Sequence, residues 1–118
     1  MKIRSDFVTN SSSSAYICLR VDYDLRETIL AANGTTSEQL WEKAYDEGLD
    51  EVKLKGKNMV AAVGECGVKY VGRTLYESDL TSKTLTQLKE EVAQVIKETY
   101  GIQLNERDIE FDYGEIER

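Results

Sequence analysis

Residues 52–77, VKLKGKNMVAAVGECGVKYVGRTLYE, contain three consecutive segments with the composition of β-strands. Residues 52–58 predict one strand, the apolar run Met59–Val63 predicts its hairpin partner, and Val68–Glu77 predicts a third strand. Gly64–Gly67 has the composition of a turn. Strands joined by such short connections pair antiparallel, because a parallel pair needs a crossover of about a dozen residues or more. The middle of the chain therefore predicts an antiparallel sheet.

One strand and two helices are predicted before this stretch. Ala15–Tyr23 alternates, with apolar residues at 17, 19 and 21 on one face, which is typical of a half-buried strand. Asp24–Ala32 predicts a short helix that ends at an Asn-Gly pair. Thr35 and Glu38 match a capping box, so we expect a second helix from there to about residue 47, stopped by Gly48.

One more helix and a final strand are predicted after it. Thr84 with Gln87 forms a second capping box, and apolar residues then recur at helical spacing as far as Gly101. Asp108–Tyr113 alternates strictly. The predicted apolar face of this last strand consists of Ile109, Phe111 and Tyr113.

These elements do not follow a regular strand-helix-strand order, and the hairpins lie in the middle. The sequence therefore predicts an α+β fold, a mostly antiparallel sheet of four to five strands packed against two to three helices. We expect a single domain over residues 15–118. Residues 1–14 predict a polar, Ser-rich N-terminal arm, because serine hydroxyls compete for backbone hydrogen bonds and disfavour regular structure.

The composition limits the available chemistry. The 118 residues include no His and two Cys, so the usual general base is missing and two thiols alone cannot hold a tetrahedral zinc. We expect no catalytic residues, no cofactor and no metal site. An enzyme is left open as an alternative, through the thiol of Cys66 in its glycine-flanked turn or through a cation bound by acid pairs such as Asp22 and Asp24.

The charge and the hydropathy pattern indicate the kind of partner. The formal net charge is −7, which argues against direct binding of nucleic acid or of an anionic membrane and favours a basic protein partner. The sequence contains neither an apolar run long enough to span a bilayer nor the apolar segment of a signal peptide, so we expect a cytoplasmic protein.

The arrangement of acidic residues is the most informative pattern. Carboxylates on one face of a strand repeat every ~6.6 to 6.8 Å, and carboxylates four residues apart on a helix repeat every ~6 Å. Both spacings are close to the distance between phosphates along a nucleic-acid strand, so a surface with both rows would imitate nucleic acid. The alternative is an ordinary solvated surface. The strand row is Asp108, Glu110 and Asp112, and the helix row is Glu38, Glu42 and Asp46.

Two aromatic residues border the helix row. Trp41 and Tyr45 lie one helical turn apart, and aromatic side chains beside charges are common at interface hot spots. The alternative is core packing, in which both join Leu40 and Ala44 in the inward face of the helix. Of the two roles the sequence favours core packing, because the helix needs these four residues to complete its inward face.

The opening residues, MKIRSDFVTNSSSSAYI, carry a family resemblance. They resemble the N-terminal signature Phe-Val-(Ser/Thr)-Asn-Ser-Ser-Ser-Ser-Ser-Phe-(Ile/Val) of many small uncharacterised proteins of bacteriophages and gut Firmicutes. Ala15 and Tyr16 stand where that signature has a fifth serine and a phenylalanine. The resemblance covers about the first 17 positions. It implies a phage or mobile-element origin, and it brings no enzymatic activity and no catalytic residues with it.

Two functional hypotheses result. The first is a non-enzymatic, phage-encoded inhibitor in the host cytoplasm that mimics nucleic acid and blocks a basic nucleic-acid-binding or defence protein of the host. Its partner-binding residues would be the two acidic rows with Trp41 or Tyr45. The second is a virion or assembly component that is tethered by its N-terminal arm. The oligomeric state is not predicted.

Overall fold

The computed structural model of the protein describes residues 13–65 and 67–117. These residues form five strands, four helices and a 3₁₀ turn over Glu106–Asp108. The strands are β1 (Ser13–Val21), β2 (Glu51–Lys53), β3 (Val60–Gly64), β4 (Gly67–Thr74) and β5 (Ile109–Glu117). The helices are α1 (Tyr23–Ala32), α2 (Ser37–Glu47), α3 (Glu77–Ser82) and α4 (Leu85–Tyr100).

The strands form one sheet in the order β2-β3-β4-β1-β5, with every neighbouring pair antiparallel. The two central hairpins, β2-β3 and β3-β4, are those that the sequence predicts. β1 then lies between β4 and β5 and joins the hairpins to the last strand. The predicted α+β class with a mostly antiparallel sheet is confirmed.

The main core lies between one sheet face and the helices. Leu19 and Val71 from the sheet pack with Ile29 of α1, Leu40 of α2 and Leu88 of α4 in one buried cluster. Helix α4 begins at the predicted capping box, where Thr84 accepts the Gln87 N–H and the Gln87 side chain accepts the Thr84 N–H. Among the described residues, no helix is long and apolar enough to cross a membrane.

The N-cap of α2 is one residue later than predicted. Thr36, not Thr35, has extended backbone (φ −126°, ψ 169°), and its hydroxyl accepts the Gln39 N–H at 3.2 Å. The Thr35 N–H donates instead to Leu30 O at 3.0 Å and completes the end of α1. Thr35 therefore belongs to the termination of the preceding helix.

The predicted hairpin strands are longer than the observed ones. β2 stops at Lys53, because the chain turns through Gly56 (φ +105°) and the Leu54 N–H donates to Met59 O at 3.0 Å. β4 stops at Thr74, because the Asp79 carboxylate accepts the Tyr76 N–H at 2.9 Å and starts the short helix α3, which the sequence pattern did not predict.

The two outer strands also differ from their predictions. β1 begins at Ser13, two residues into the predicted arm, and β5 continues to Glu117. The apolar face predicted for β5 is buried only at Ile109, while Phe111 and Tyr113 are 41% and 75% exposed. The helical layer covers the first residue of this edge strand and leaves the two aromatic rings in solvent.

Candidate functional site

The helix row lies on the solvent side of α2. Leu40 and Ala44 face the core, so Glu38, Glu42 and Asp46 project away from it and are exposed. Within the described part of the chain, no ion pair is formed by these three carboxylates. The helix row is therefore an acidic strip whose charges are available to a partner.

A pair of stacked aromatic rings borders the helix row. Trp41 is partly buried against the main core, and its indole N–H donates to Gly64 O in the β3-β4 turn at 2.9 Å. Tyr45 stacks on it, with ring centroids 5.3 Å apart and ring planes 29° apart, and is 68% exposed. The inward face predicted for α2 is thus wrong for Tyr45, because the helix turns that ring past the edge of the core.

The carboxylates of the strand row have partners inside the protein. Arg20 of the adjacent strand donates to Glu110 at 2.7 Å and to Asp112 at 3.0 Å. The second Asp112 oxygen accepts the Tyr113 N–H, and Asp108 accepts the Asn105 N–H, each at 2.8 Å. The strand row is therefore partly neutralised and held in place by neighbouring groups.

The two rows do not form one surface. α2 packs against β2, β3 and β4, whereas β5 is the opposite edge of the sheet. Arg20 pairs with Glu110 in register, next to the pair of Leu19 and Phe111, and Leu19 faces the helices. Glu110 and Asp112 therefore point to the face away from the helices, because side chains alternate along a strand.

The described residues offer no catalytic thiol or metal cluster. Cys18 is fully buried, and burial raises the pKa of its thiol to about 12, so the thiol stays protonated and inert at neutral pH. No group of three His, Cys, Asp or Glu residues within 13–65 and 67–117 is arranged to hold a metal ion. Cys66, the thiol of the enzyme alternative, lies outside the described residues.

Two arginines form ion pairs with carboxylates that the sequence pattern did not predict. Arg20 pairs with the strand row, and Arg73, nearly buried on the helix side, donates to Asp79 and Glu91 at 2.9 Å each. The available signal was a charged residue inside an otherwise apolar strand. A charge at such a position needs an acidic partner, because burying it alone costs free energy.

Comparison of the chain with protein-family models, with curated proteins and with solved structures gives no match. The first half of the N-terminal signature, residues 7–12, lies outside the described residues, and its second half, residues 13–17, is the start of β1. The functional argument therefore depends on the chemistry of the surfaces described above.

Proposed function

We propose that this chain is a non-enzymatic binding protein that presents α2 to a basic, nucleic-acid-binding surface of a host protein and blocks it by competition. The observation that carries the proposal is the exposed ring of Tyr45, held in a fixed position on Trp41 beside the acidic helix row. Interface hot spots are enriched in Trp and Tyr, and exposed charges beside them steer a partner of the opposite charge.

The chemistry of α2 fits a partner rich in Arg and Lys. Carboxylates one helical turn apart repeat every ~6 Å, so Glu38, Glu42 and Asp46 meet cations spaced for a phosphate backbone. The faces of Tyr45 and Trp41 attract a guanidinium or ammonium group. Because the indole hydrogen bond already fixes the stack, little side-chain entropy is lost on binding.

Within this proposal the helix row contributes more to partner binding than the strand row does. Glu110 and Asp112 already share Arg20, so binding a new cation there requires breaking existing pairs. The N-terminal resemblance supports a phage or mobile-element origin, and such an origin favours a host protein as the target. A role in virion assembly is the competing function, and it requires no particular residue on α2.

The test is capture of host proteins from lysate by the full-length chain at low and high salt, followed by identification of the retained proteins. We expect a nucleic-acid-binding protein that salt releases, because attraction between exposed charges is screened. The purified target should then bind either this chain or the target's own DNA or RNA, so that added nucleic acid displaces the chain. Capture of virion proteins instead of such a target would contradict the proposal.

Matched variants assign the binding to α2. Reversal of the helix row (Glu38→Lys, Glu42→Lys, Asp46→Lys) should abolish capture. Reversal of three exposed acids elsewhere should change net charge equally and retain much more binding. This control is Glu77→Lys, Glu90→Lys and Glu98→Lys, on α3 and α4. Equal loss in both variants would show that net charge, and not α2, determines binding.

A further inference from the structure

β5 is a long strand at the edge of the sheet. The strand at the other edge, β2, has three residues, whereas β5 has nine. Phe111 and Tyr113, on the helix side of β5, are 41% and 75% exposed. A long edge strand with exposed aromatic rings favours pairing with a strand of another molecule, unless some feature of the edge prevents it.

The hydrogen bonds of β1 show which backbone groups of β5 point outward. The Leu75 N–H donates to Ile17 O at 2.8 Å, so the backbone groups of Ile17 point towards β4. Ile17 is also the register partner of Tyr113. Because alternate residues of an antiparallel pair are hydrogen-bonded to each other, Tyr113 is not bonded to β1 and its N–H points outward. The same holds for Phe111, two residues earlier.

One of these outward N–H groups already has an acceptor. The Tyr113 N–H donates to Asp112 Oδ1 at 2.8 Å. The other oxygen of the same carboxylate, Oδ2, accepts the Arg20 Nε–H at 3.0 Å, and Glu110 accepts a second bond from that guanidinium at 2.7 Å. Arg20 therefore holds the Asp112 carboxylate in the orientation in which its Oδ1 meets the outer edge of β5.

Charge limits the registers in which a second copy of the chain can pair with this edge. Two copies related by a two-fold axis would bring their β5 strands together antiparallel. An axis at Phe111 places Glu110 of one copy opposite Asp112 of the other, and an axis at Asp112 places the two Asp112 residues opposite each other. Like charges in direct opposition destabilise a strand pair. An axis at Tyr113 avoids this, because it places Asp112 opposite Gly114.

In the register centred on Tyr113, the Tyr113 N–H would be the central donor of the pair. Its backbone groups point outward, so the two Tyr113 residues would exchange N–H···O=C bonds across the axis. The Asp112 carboxylate already accepts this N–H. Pairing must therefore break a charge-assisted hydrogen bond before the central bond between the copies forms.

We propose that Asp112, oriented by Arg20, closes the outer edge of β5 and prevents a second copy of this chain from pairing with it at Tyr113. The strand row then has a role within the protein itself, which needs no basic partner. This inference stands apart from the proposed function, because it concerns the edge of the sheet opposite α2. Failure of one therefore leaves the other unaffected.

Amide hydrogen exchange in the full-length protein tests the closed N–H directly. Phe111 is the internal reference, because its N–H also points outward and has no acceptor among residues 13–65 and 67–117. After correction for intrinsic rates, we expect the Tyr113 amide to exchange about tenfold more slowly than that of Phe111 in the wild type. Asp112→Ala should remove the difference. Equal protection of the two amides in the wild type would overturn the proposal.

The matched control is Glu110→Ala. It removes the same charge from the same face of β5 and also takes one carboxylate from Arg20, but it leaves Asp112 on the Tyr113 N–H. We expect this variant to keep the slow exchange of Tyr113. Loss of protection in Glu110→Ala equal to that in Asp112→Ala would contradict a specific role of Asp112.

Sedimentation equilibrium of the same full-length variants tests the consequence for self-association. Asp112→Ala should form dimers at concentrations about tenfold lower than the wild type or Glu110→Ala requires. Asp112→Asn should behave as the wild type, because its amide oxygen still accepts the Tyr113 N–H. A monomeric Asp112→Ala, or a wild type that dimerises as strongly, would overturn the proposal.

A second substitution locates the contact in the dimer. Proline has no N–H and is tolerated in an edge strand where that group faces solvent. Adding Tyr113→Pro to Asp112→Ala should therefore return the protein to the monomer. A dimer that persists in the double variant would show that the copies associate through another surface.

Discussion

At the scale of single residues, the structure shows a close approach of two strand backbones that the sequence does not indicate. Gly72 lies in β4 beside Arg20 of β1, and a Cβ built there would be 2.0 Å from Leu19 O. The obstacle is the backbone of β1, which cannot rotate away as a side chain could. Glycine at this position is therefore required by the distance between β1 and β4.

We predict that Gly72→Ala destabilises the protein by about 3 kcal/mol, because β1 and β4 must separate to admit a methyl group. Gly67→Ala in the same strand is the control, since its Cβ would meet no atom within 4 Å and its φ of +140° adds backbone strain alone. We expect about 1 kcal/mol there. Urea unfolding of both variants measures the difference, and similar losses would contradict the prediction.

At the same scale, Trp41 and Tyr45 differ in solvent exposure although the sequence pattern predicts the same environment for both. Trp41 and Tyr45 both lie on the same side of α2 by helical periodicity. The hydrogen bond to Gly64 O draws Trp41 onto the β3-β4 turn, while Tyr45 remains outside. The partner for Trp41 comes from a residue far along the chain, so the helical pattern alone does not separate the two.

At the scale of elements, the helix ends test the local rules directly. Thr36 caps α2 through its hydroxyl, whereas the Thr35 backbone N–H serves α1. We predict that Thr36→Ala costs about 1 kcal/mol of stability, the usual value of an N-cap. Thr35→Ala keeps its backbone hydrogen bond and should cost clearly less. Thermal or urea unfolding compares the two variants. A larger loss of stability in Thr35→Ala would support Thr35 as the N-cap, as the sequence predicted.

The contact between β4 and α4 depends on pH. Glu91 accepts hydrogen bonds from Lys83 and Arg73, and these bonds lower the pKa of its carboxyl below the ordinary value of 4.5. A carboxyl whose pKa is lower in the folded state contributes stability above its unfolded pKa. That contribution is lost as the pH falls through the folded pKa.

We therefore predict that the wild-type protein loses stability more steeply than Glu91→Gln between about pH 5 and pH 3. Unfolding by urea at a series of pH values measures this slope. Glu90→Gln, an exposed neighbour on α4, is the control and should retain the wild-type slope. If the stability of Glu91→Gln changed with pH in parallel with that of the wild type, the pairing of Glu91 would contribute nothing to stability.

At the scale of the whole molecule, one buried cluster connects the helices with the sheet. Residues of β1, β3, β4, β5, α1, α2 and α4 contribute to it. Trp41 is the single tryptophan, and it joins α2 to the β3-β4 turn. Its fluorescence therefore reports on the contact between α2 and the β3-β4 turn.

We predict that the protein unfolds in a single two-state transition, because within residues 13–65 and 67–117 no helix has a core independent of the sheet. Urea curves measured by Trp41 fluorescence and by far-ultraviolet circular dichroism should coincide. The same midpoint is expected from Cys18 alkylation in the Cys66→Ser background. A fluorescence transition at lower urea would indicate that α2 and the central hairpin separate first.

Most of the fold was accessible from local patterns. The alternation at residues 17, 19 and 21, the capping box at Thr84 and the stop at Gly101 all predicted elements that the structure confirms. Helix α3 was missed, because it is short and depends on one side-chain contact to the Tyr76 backbone. The exposure of Phe111 and Tyr113 was also missed, since it depends on how far the helical layer extends over an edge strand.

Local sequence patterns were enough to predict the secondary-structure types, the antiparallel pairing of the central hairpins and the acidic side of α2. Each of these follows from spacing or from short connections, which act between neighbours along the chain. Three features emerged with the tertiary fold: Arg20 partly neutralises the strand row, this row lies on the opposite edge and face from α2, and Tyr45 stays exposed. The physical reason is that these depend on strand order and register, which join residues as distant as Arg20 and Glu110.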